Sequence, residues 1–174
     1  MFFIESKRLK LIPLTHQLLR LCQVSRPAME TSLGINISAM QIDPAYQVEL
    51  HDALTNFWLP KTKEHPKQYQ WYTNWEIVDK ATNIAIGGIG FVGHVNENGI
   101  VEMGYMIDQR QQRNGYGTEA IQAMVDWAFQ DEAVQAVIAQ TAPGNFPSQK
   151  VLLRNGFVQI AGTNELLAFK KKRR

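Results

Sequence analysis

The sequence predicts an α+β domain: a mixed, mostly antiparallel sheet of about six to seven strands flanked by about four helices. Three observations carry that expectation. Residues 70–107 read as strands separated only by tight turns, which makes a meander. Residues 115–130 repeat apolar side chains close to every 3.6 positions, which makes a helix. A strand, that helix and another strand then follow in succession, which makes one crossover unit inside an otherwise antiparallel sheet.

The elements follow in order. Residues 7–12 alternate apolar and polar and predict a first strand, ended by Pro13. Thr15 caps a short helix through Val24, and Arg26-Pro27 breaks it. Asp43-Pro44 is a helix start, a capping carboxylate followed by proline at the first helical position. That helix is expected to reach Trp58, where Pro60 stops it, with a loop over 61–67. Residues 70–78 are rich in aromatic and β-branched side chains and predict a strand. A turn over 79–83, a strand over 84–95, the hairpin turn Asn96-Glu97-Asn98-Gly99 and a strand over 100–107 complete the meander. After the long helix, 136–139 predicts a buried strand and 147–154 a helix, with Gly156 in the left-handed position past its end. Residues 157–160 and 166–169 predict a closing hairpin.

A single domain over 1–174 is expected. It is 45% hydrophobic and 20% charged, ordinary for a water-soluble fold. The net charge of +2 creates no field that calls for nucleic acid. Lys170 to Arg174 concentrates positive charge and reads as a solvated basic tail, the only basis for a nucleic-acid hypothesis. No apolar run approaches the ~20 residues of a membrane span. The first residues lack the features of a secretion signal, so a cytoplasmic location with no membrane partner is the default expectation. Cys22 stands alone among apolar neighbours and reads as a buried thiol rather than a nucleophile. His16, His51, His65 and His94 are scattered without metal-ligand spacing, so no metal is expected.

The chemistry concentrates in residues 112–120, Gln-Arg-Asn-Gly-Tyr-Gly-Thr-Glu-Ala. Two glycines one residue apart, between a strand and a helix, leave the backbone amides uncovered. The first amides of a helix have no internal partner and lie at the positive end of its dipole. Such a turn binds phosphate, with Arg110 and Arg113 adding charge at the rim and Thr118 a hydroxyl. A Walker loop is excluded because no Gly-Lys-Thr follows, and a dinucleotide fingerprint because the sheet is not parallel around its first turn. The cluster Gly87, Gly88 and Gly90 lies inside a strand and signals close packing or a bulge instead.

Gln112-x-x-Gly115-x-Gly117 resembles the acyl-CoA signature of the GNAT acetyltransferase superfamily. Asn145-Phe146-Pro147-Ser148 with Arg154-Asn155-Gly156-Phe157 resembles its second block, and Ser6 to Leu11 resembles the first strand of the branch that acetylates ribosomal-protein N-termini. Element order agrees from about residue 6 to residue 169, with little similarity over 25–70. The resemblance implies a sheet splayed between its fourth and fifth strands, with acetyl-CoA as cosubstrate in the wedge. It implies that the backbone of Gln112, Arg113, Asn114, Gly115, Tyr116, Gly117 and Thr118 holds the pyrophosphate. Met106, Ile107 and Asp108 would lend backbone groups to the pantetheine arm, Asn145 would bind that arm, and Ser148 would protonate the leaving thiolate. The tyrosine many relatives use as acid is replaced here by Leu152.

An alkyl amine must lose a proton before it attacks, so a base is needed. Glu102 is the first candidate, a carboxylate among apolar residues on the strand before the loop; an alternating, solvent-facing position is the competing reading. Glu76 is the second. Trp71, Tyr72 and Trp75, capped by Phe57-Trp58, line an acceptor pocket or belong to the core. The expected activity is N-acetylation of a small amine or a peptide N-terminus by direct attack in a ternary complex. The alternative is a non-catalytic acyl-CoA-binding module acting through a protein partner. No specific nucleic-acid partner is expected, and exposed strand edges are compatible with a homodimer.

Overall fold

The computed structural model describes residues 1–174. One eight-stranded sheet runs in the order β1-β2-β3-β4-β5-β6-β8-β7. Its strands are β1 (Ile4–Glu5), β2 (Leu9–Pro13), β3 (Trp75–Asp79), β4 (Ile84–Phe91), β5 (Ile100–Ile107), β6 (Ala136–Thr141), β7 (Val158–Ile160) and β8 (Leu167–Lys172). Every neighbouring pair is antiparallel except β5 and β6. The helices are α1 (His16–Val24), α2 (Arg26–Leu33), α3 (Pro44–Ala53), α4 (Leu59–Glu64), α5 (Tyr116–Ala128) and α6 (Phe146–Arg154). A π-helical turn, Leu54–Trp58, joins α3 to α4 without a break, so five helical rods flank the sheet.

Local chemistry explains most boundaries. Thr15 accepts the Leu18 amide and starts α1. Asn96 Oδ1 accepts the amides of Asn98 and Ile100 and folds the β4–β5 hairpin. Two prolines behave differently from expectation. Pro27 does not simply break a helix. Ser25 caps a new one, and Pro27 sits in its first turn, where no amide donor is required. Pro60 does not stop α3. The chain widens into the π turn, Leu59 donates to Leu54, and the proline enters the first turn of α4, so the expected loop over 61–67 is helical as far as Glu64. Residues 69–71 form a 3₁₀ turn rather than the start of β3.

The basic run at 170–174 is not a solvated tail. Lys170, Lys171 and Lys172 lie in β8, paired with Ile138, Val137 and Ala136 of β6. The Arg173 guanidinium donates to the Val134, Phe129 and Asp131 carbonyls at the end of α5. β8 inserts between β6 and β7, although β7 precedes it in the chain.

Two cores form, one on each face of the sheet. α5 covers one face, with Trp75, Ile77, Ile89, Phe91, Val101 and Met103 beneath it. α1, α2 and the π turn cover part of the other, over Ile12, Leu14, Val78 and Ala85. Trp71 and Trp75 belong to the first core and not to an acceptor pocket. Their rings lie 4.5 and 4.8 Å from the Trp127 ring of α5, and Trp75 is 0% exposed. Strand alternation fixes this: Trp75 and Ile77 point one way, Glu76 and Val78 the other. Trp75→Ala is therefore expected to cost about 3–5 kcal/mol of stability, read as a lower urea midpoint, while KM for an acceptor is unchanged.

Candidate active site

β5 and β6 are paired only from Ile100 to Met103 and from Ala136 to Ala139. Beyond that point they diverge, and the outer edge of β5 from Gly104 to Ile107 has no partner strand. The N-termini of α5 and α6 both open onto this wedge, which continues as a cleft of about 990 Å³. The site thus lies outside the carboxyl ends of two parallel strands, where open sheets hold ligands.

The turn into α5 is built to receive an anion. None of the backbone N–H groups from Gln112 to Thr118 donates to an acceptor of the protein; the first bond of the helix is Glu119 to Gly115. Gly115 has φ +79°, a left-handed conformation that side chains resist. Gln112, Arg113, Gly115, Tyr116, Gly117 and Thr118 all line the cleft. Lys150 and Arg154, one turn apart on α6, add positive charge from the opposite wall. Their sequence signal is ambiguous, because a basic residue in the last turn of a helix, as Arg154 is, also complements the helix dipole. The turn is anchored from behind. Glu119 accepts from Ser6 Oγ, the Arg8 amide and Arg8 Nε, each at 2.7 Å, and Arg8 Nη1 donates to the Asn114 carbonyl at 3.0 Å. Burial opposes the charge of Glu119, yet these bonds hold its carboxyl below the usual range.

Some of the expected ligands are engaged elsewhere. Asp108 is 2% exposed, donates its amide to Ile86, and binds Arg110 through its carboxylate, so neither residue reaches the cleft. Asn114 also lies outside the lining. Met106 and Ile107 do line it. Asn145 lines it as well, with its Oδ1 committed to the Ser148 amide as the cap of α6 and its Nδ2 donating to Tyr46 Oη at 3.3 Å.

Ser148 has a partner the sequence did not suggest. Its Oγ lies 2.6 Å from Tyr105 Oη, across the cleft floor from β5 to α6. Burial pushes the Tyr105 phenol up to about 12, the Ser148 hydrogen bond opposing that shift, so it is protonated at neutral pH. A contact spanning 43 positions leaves no local signal.

A second cavity of about 190 Å³ lies on the α1–α3 side of the sheet and meets the cleft at Ile42 and Met106, which line both. Its polar end holds Asn74, Glu76 and Arg26, and Trp58 is the one aromatic candidate that lines it. Arg26 Nη2 donates to Glu76 Oε2 at 2.6 Å and Arg26 Nε to Glu30 Oε1 at 3.1 Å. Burial opposes the charge of Arg26, but these carboxylates raise its pKa further still. Cys22 lines the same cavity; burial, then the Glu76 carboxylate, pushes its thiol up to about 11, which leaves little thiolate to act as a nucleophile.

Glu102 is exposed, not part-buried as expected, and its carboxylate has no ion pair or hydrogen bond. It shares a face of β5 with Gly104 and Met106, the face turned toward the second cavity. A Cβ built on Gly104 would meet nothing within 4 Å. An open trough therefore runs from Glu102 over Gly104 to Met106, about 13 Å along the strand.

Comparison with known proteins agrees with this geometry. Residues 8–158 match the family described as Acetyltransferase (GNAT) domain. YjdG of Bacillus subtilis (strain 168), named as an uncharacterized N-acetyltransferase, is 37% identical over 87 residues, 50% of this chain and 52% of that protein. The chain thus spans about half the length of that curated relative. RimL, a ribosomal L7/L12 alpha-N-protein acetyltransferase solved in complex with coenzyme A, superposes with a TM-score of 0.67 at 16% identity, covering 98% of both chains. The ribosomal-protein-S5-alanine acetyltransferase of Vibrio fischeri gives 0.64 at 18% identity, over 99% of this chain and 97% of that one. At such identities the likeness to these structures is one of fold.

Proposed function

Because its residues 8–158 carry that domain, the chain belongs to the GNAT acetyltransferase family, and on this premise we propose that it is an N-acetyltransferase using acetyl-CoA as donor and a primary amine as acceptor. The observation that supports this most is the row of unpaired amides from Gln112 to Thr118 at the mouth of a wedge that opens, at Met106, into a second cavity. One site suits a diphosphate-bearing donor, the other an acceptor, and they share a wall.

Acetyl-CoA supplies a thioester carbonyl, which the amine attacks to form an amide and release a thiol. The amides of residues 112–118, with Lys150 and Arg154, would bind the diphosphate. The free edge of β5 at Met106 and Ile107 would bind the pantetheine arm as an added strand, with Asn145 Nδ2 facing it from α6. Glu102 would take the proton from the amine through a chain of waters along the trough over Gly104. Ser148 would give a proton to the leaving sulfur, and Tyr105 stands behind it. When the phenol donates to Ser148 Oγ, the serine hydrogen is freed to point into the cleft.

Ser148→Ala is expected to lower kcat about 10- to 100-fold and Tyr105→Phe about 10-fold. The double variant should be no worse than Ser148→Ala alone, because the two hydroxyls act in series. Steady-state rates with calorimetric Kd for coenzyme A check this; additive losses would separate the residues. The reading as a whole is tested by titrating coenzyme A into the protein and assaying free-thiol release across a panel of amines and peptides. Absence of binding heat would overturn it, and binding without turnover on any acceptor would favour the non-catalytic module.

A further inference from the structure

The second cavity carries an inference about the acceptor that rests on the reading above. Glu76 of β3 pairs with Gly88 of β4, and Gly88 pairs with Met106 of β5. The three stand in one row across the sheet, with Glu76 and Met106 about 10 Å apart. Gly88 leaves the middle of that row without a side chain, and the Asn74 carboxamide fills the space instead, its Oδ1 only 2.5 Å from where a Cβ would stand. Asn74 Nδ2 donates to Glu76 Oε1 at 3.0 Å, and Asn74 Oδ1 accepts no hydrogen bond within the protein. A free acceptor oxygen thus lies between the Glu76 carboxylate and the point where the two cavities meet, at the polar end of the second cavity.

Around this oxygen the charge is unbalanced. Glu30 and Glu76, each 1% exposed, share the single guanidinium of Arg26. Glu30 stands behind the cavity wall, where the Ser38 amide and hydroxyl also donate to it, so Glu76 shares its one cation and is the carboxylate that faces the cavity. The remaining walls are mostly apolar, formed by Leu14, Leu19, Leu50, Leu54 and Trp58, with Gln47 and His51 of α3 as the polar exceptions. A cavity of about 150 Å³ accepts a benzene-sized group, and this one is about 190 Å³. A long polyamine or an amino sugar carries more polar groups than Gln47 and His51 can serve and would set the rest against the leucines without partners.

We infer that the acceptor is a compact primary amine with an apolar substituent, its nitrogen against Asn74 Oδ1 between Glu76 and Met106, and its substituent among the leucines and Trp58. Asn74 and Glu76 are specificity-determining residues in this assignment, and Arg26 positions Glu76.

The test is calorimetric titration of amines into protein saturated with coenzyme A, which reads binding without turnover. β-Phenylethylamine and 3-methylbutylamine are expected to bind roughly 30-fold more tightly than spermidine or glucosamine. Glu76→Gln should weaken both apolar amines roughly 10-fold. Cys22→Phe narrows the cavity from a half-buried position and should weaken β-phenylethylamine roughly 10-fold. Neither variant should move the Kd of coenzyme A. Equal binding of all four amines, wild-type affinities in both folded variants, or tighter binding of a serine- or alanine-initiated peptide would overturn the assignment while leaving the proposed function standing. Failure of coenzyme A itself to bind would overturn both.

Discussion

Aspartate in place of Gly117 is expected to abolish coenzyme A binding in a protein that remains folded. A Cβ at this position would lie 3.7 Å from Ile107 and Val151 side-chain carbons, an ordinary contact. The residue stands in the first turn of α5, where an acidic side chain interacts favourably with the helix dipole and costs the fold little. The same carboxylate would stand in the cleft between Ile107 and Val151, beside the free amides, and place like charge near a diphosphate, at a cost of several kcal/mol. The calorimetric Kd should therefore rise at least about 100-fold, with far-UV circular dichroism unchanged. A variant that binds within a few-fold of wild type would show that the amide turn is not the diphosphate site.

Glu102→Gln should leave coenzyme A binding alone and lower kcat by about 100-fold. The exposed carboxylate makes no contact that the amide would disturb, so stability should be unchanged. The deficit has a signature. A protonated acceptor must lose one proton before attack and a second afterwards, a neutral one only the second, so the gap between variant and wild type should narrow as pH rises toward the pKa of the acceptor amine. Rate profiles against pH for both proteins measure it. A gap that is constant over that range would assign Glu102 a role other than proton removal.

Legibility from sequence followed the range of the interactions. The bounds of β5 and the turn into α5 were readable because their signals are local: alternation, an Asn-rich turn and two closely spaced glycines. The face of β3 was not. All five of its residues are buried, so no apolar–polar alternation distinguished Trp75 from Glu76. The second cavity escaped for a related reason. Its polar end depends on Arg26 meeting Glu76 across 50 positions, and Arg26 lies beside a proline that reads as a helix breaker until Ser25 is recognised as a cap. Glu102 was placed on the correct strand, but exposure depends on what covers a strand, and Gly104 leaves its neighbourhood open.

The insertion of β8 between β6 and β7 orders the assembly of the protein during synthesis. A nascent chain that has released β7 but not β8 has nowhere to put β7, and β6 keeps an unsatisfied row of amides and carbonyls on its outer side. The sheet must therefore close in one late step, when the finished hairpin docks onto β6 and Arg173 latches the end of α5. Intermediates up to that moment are the species most exposed to edge-to-edge association, because the β6 edge is still open.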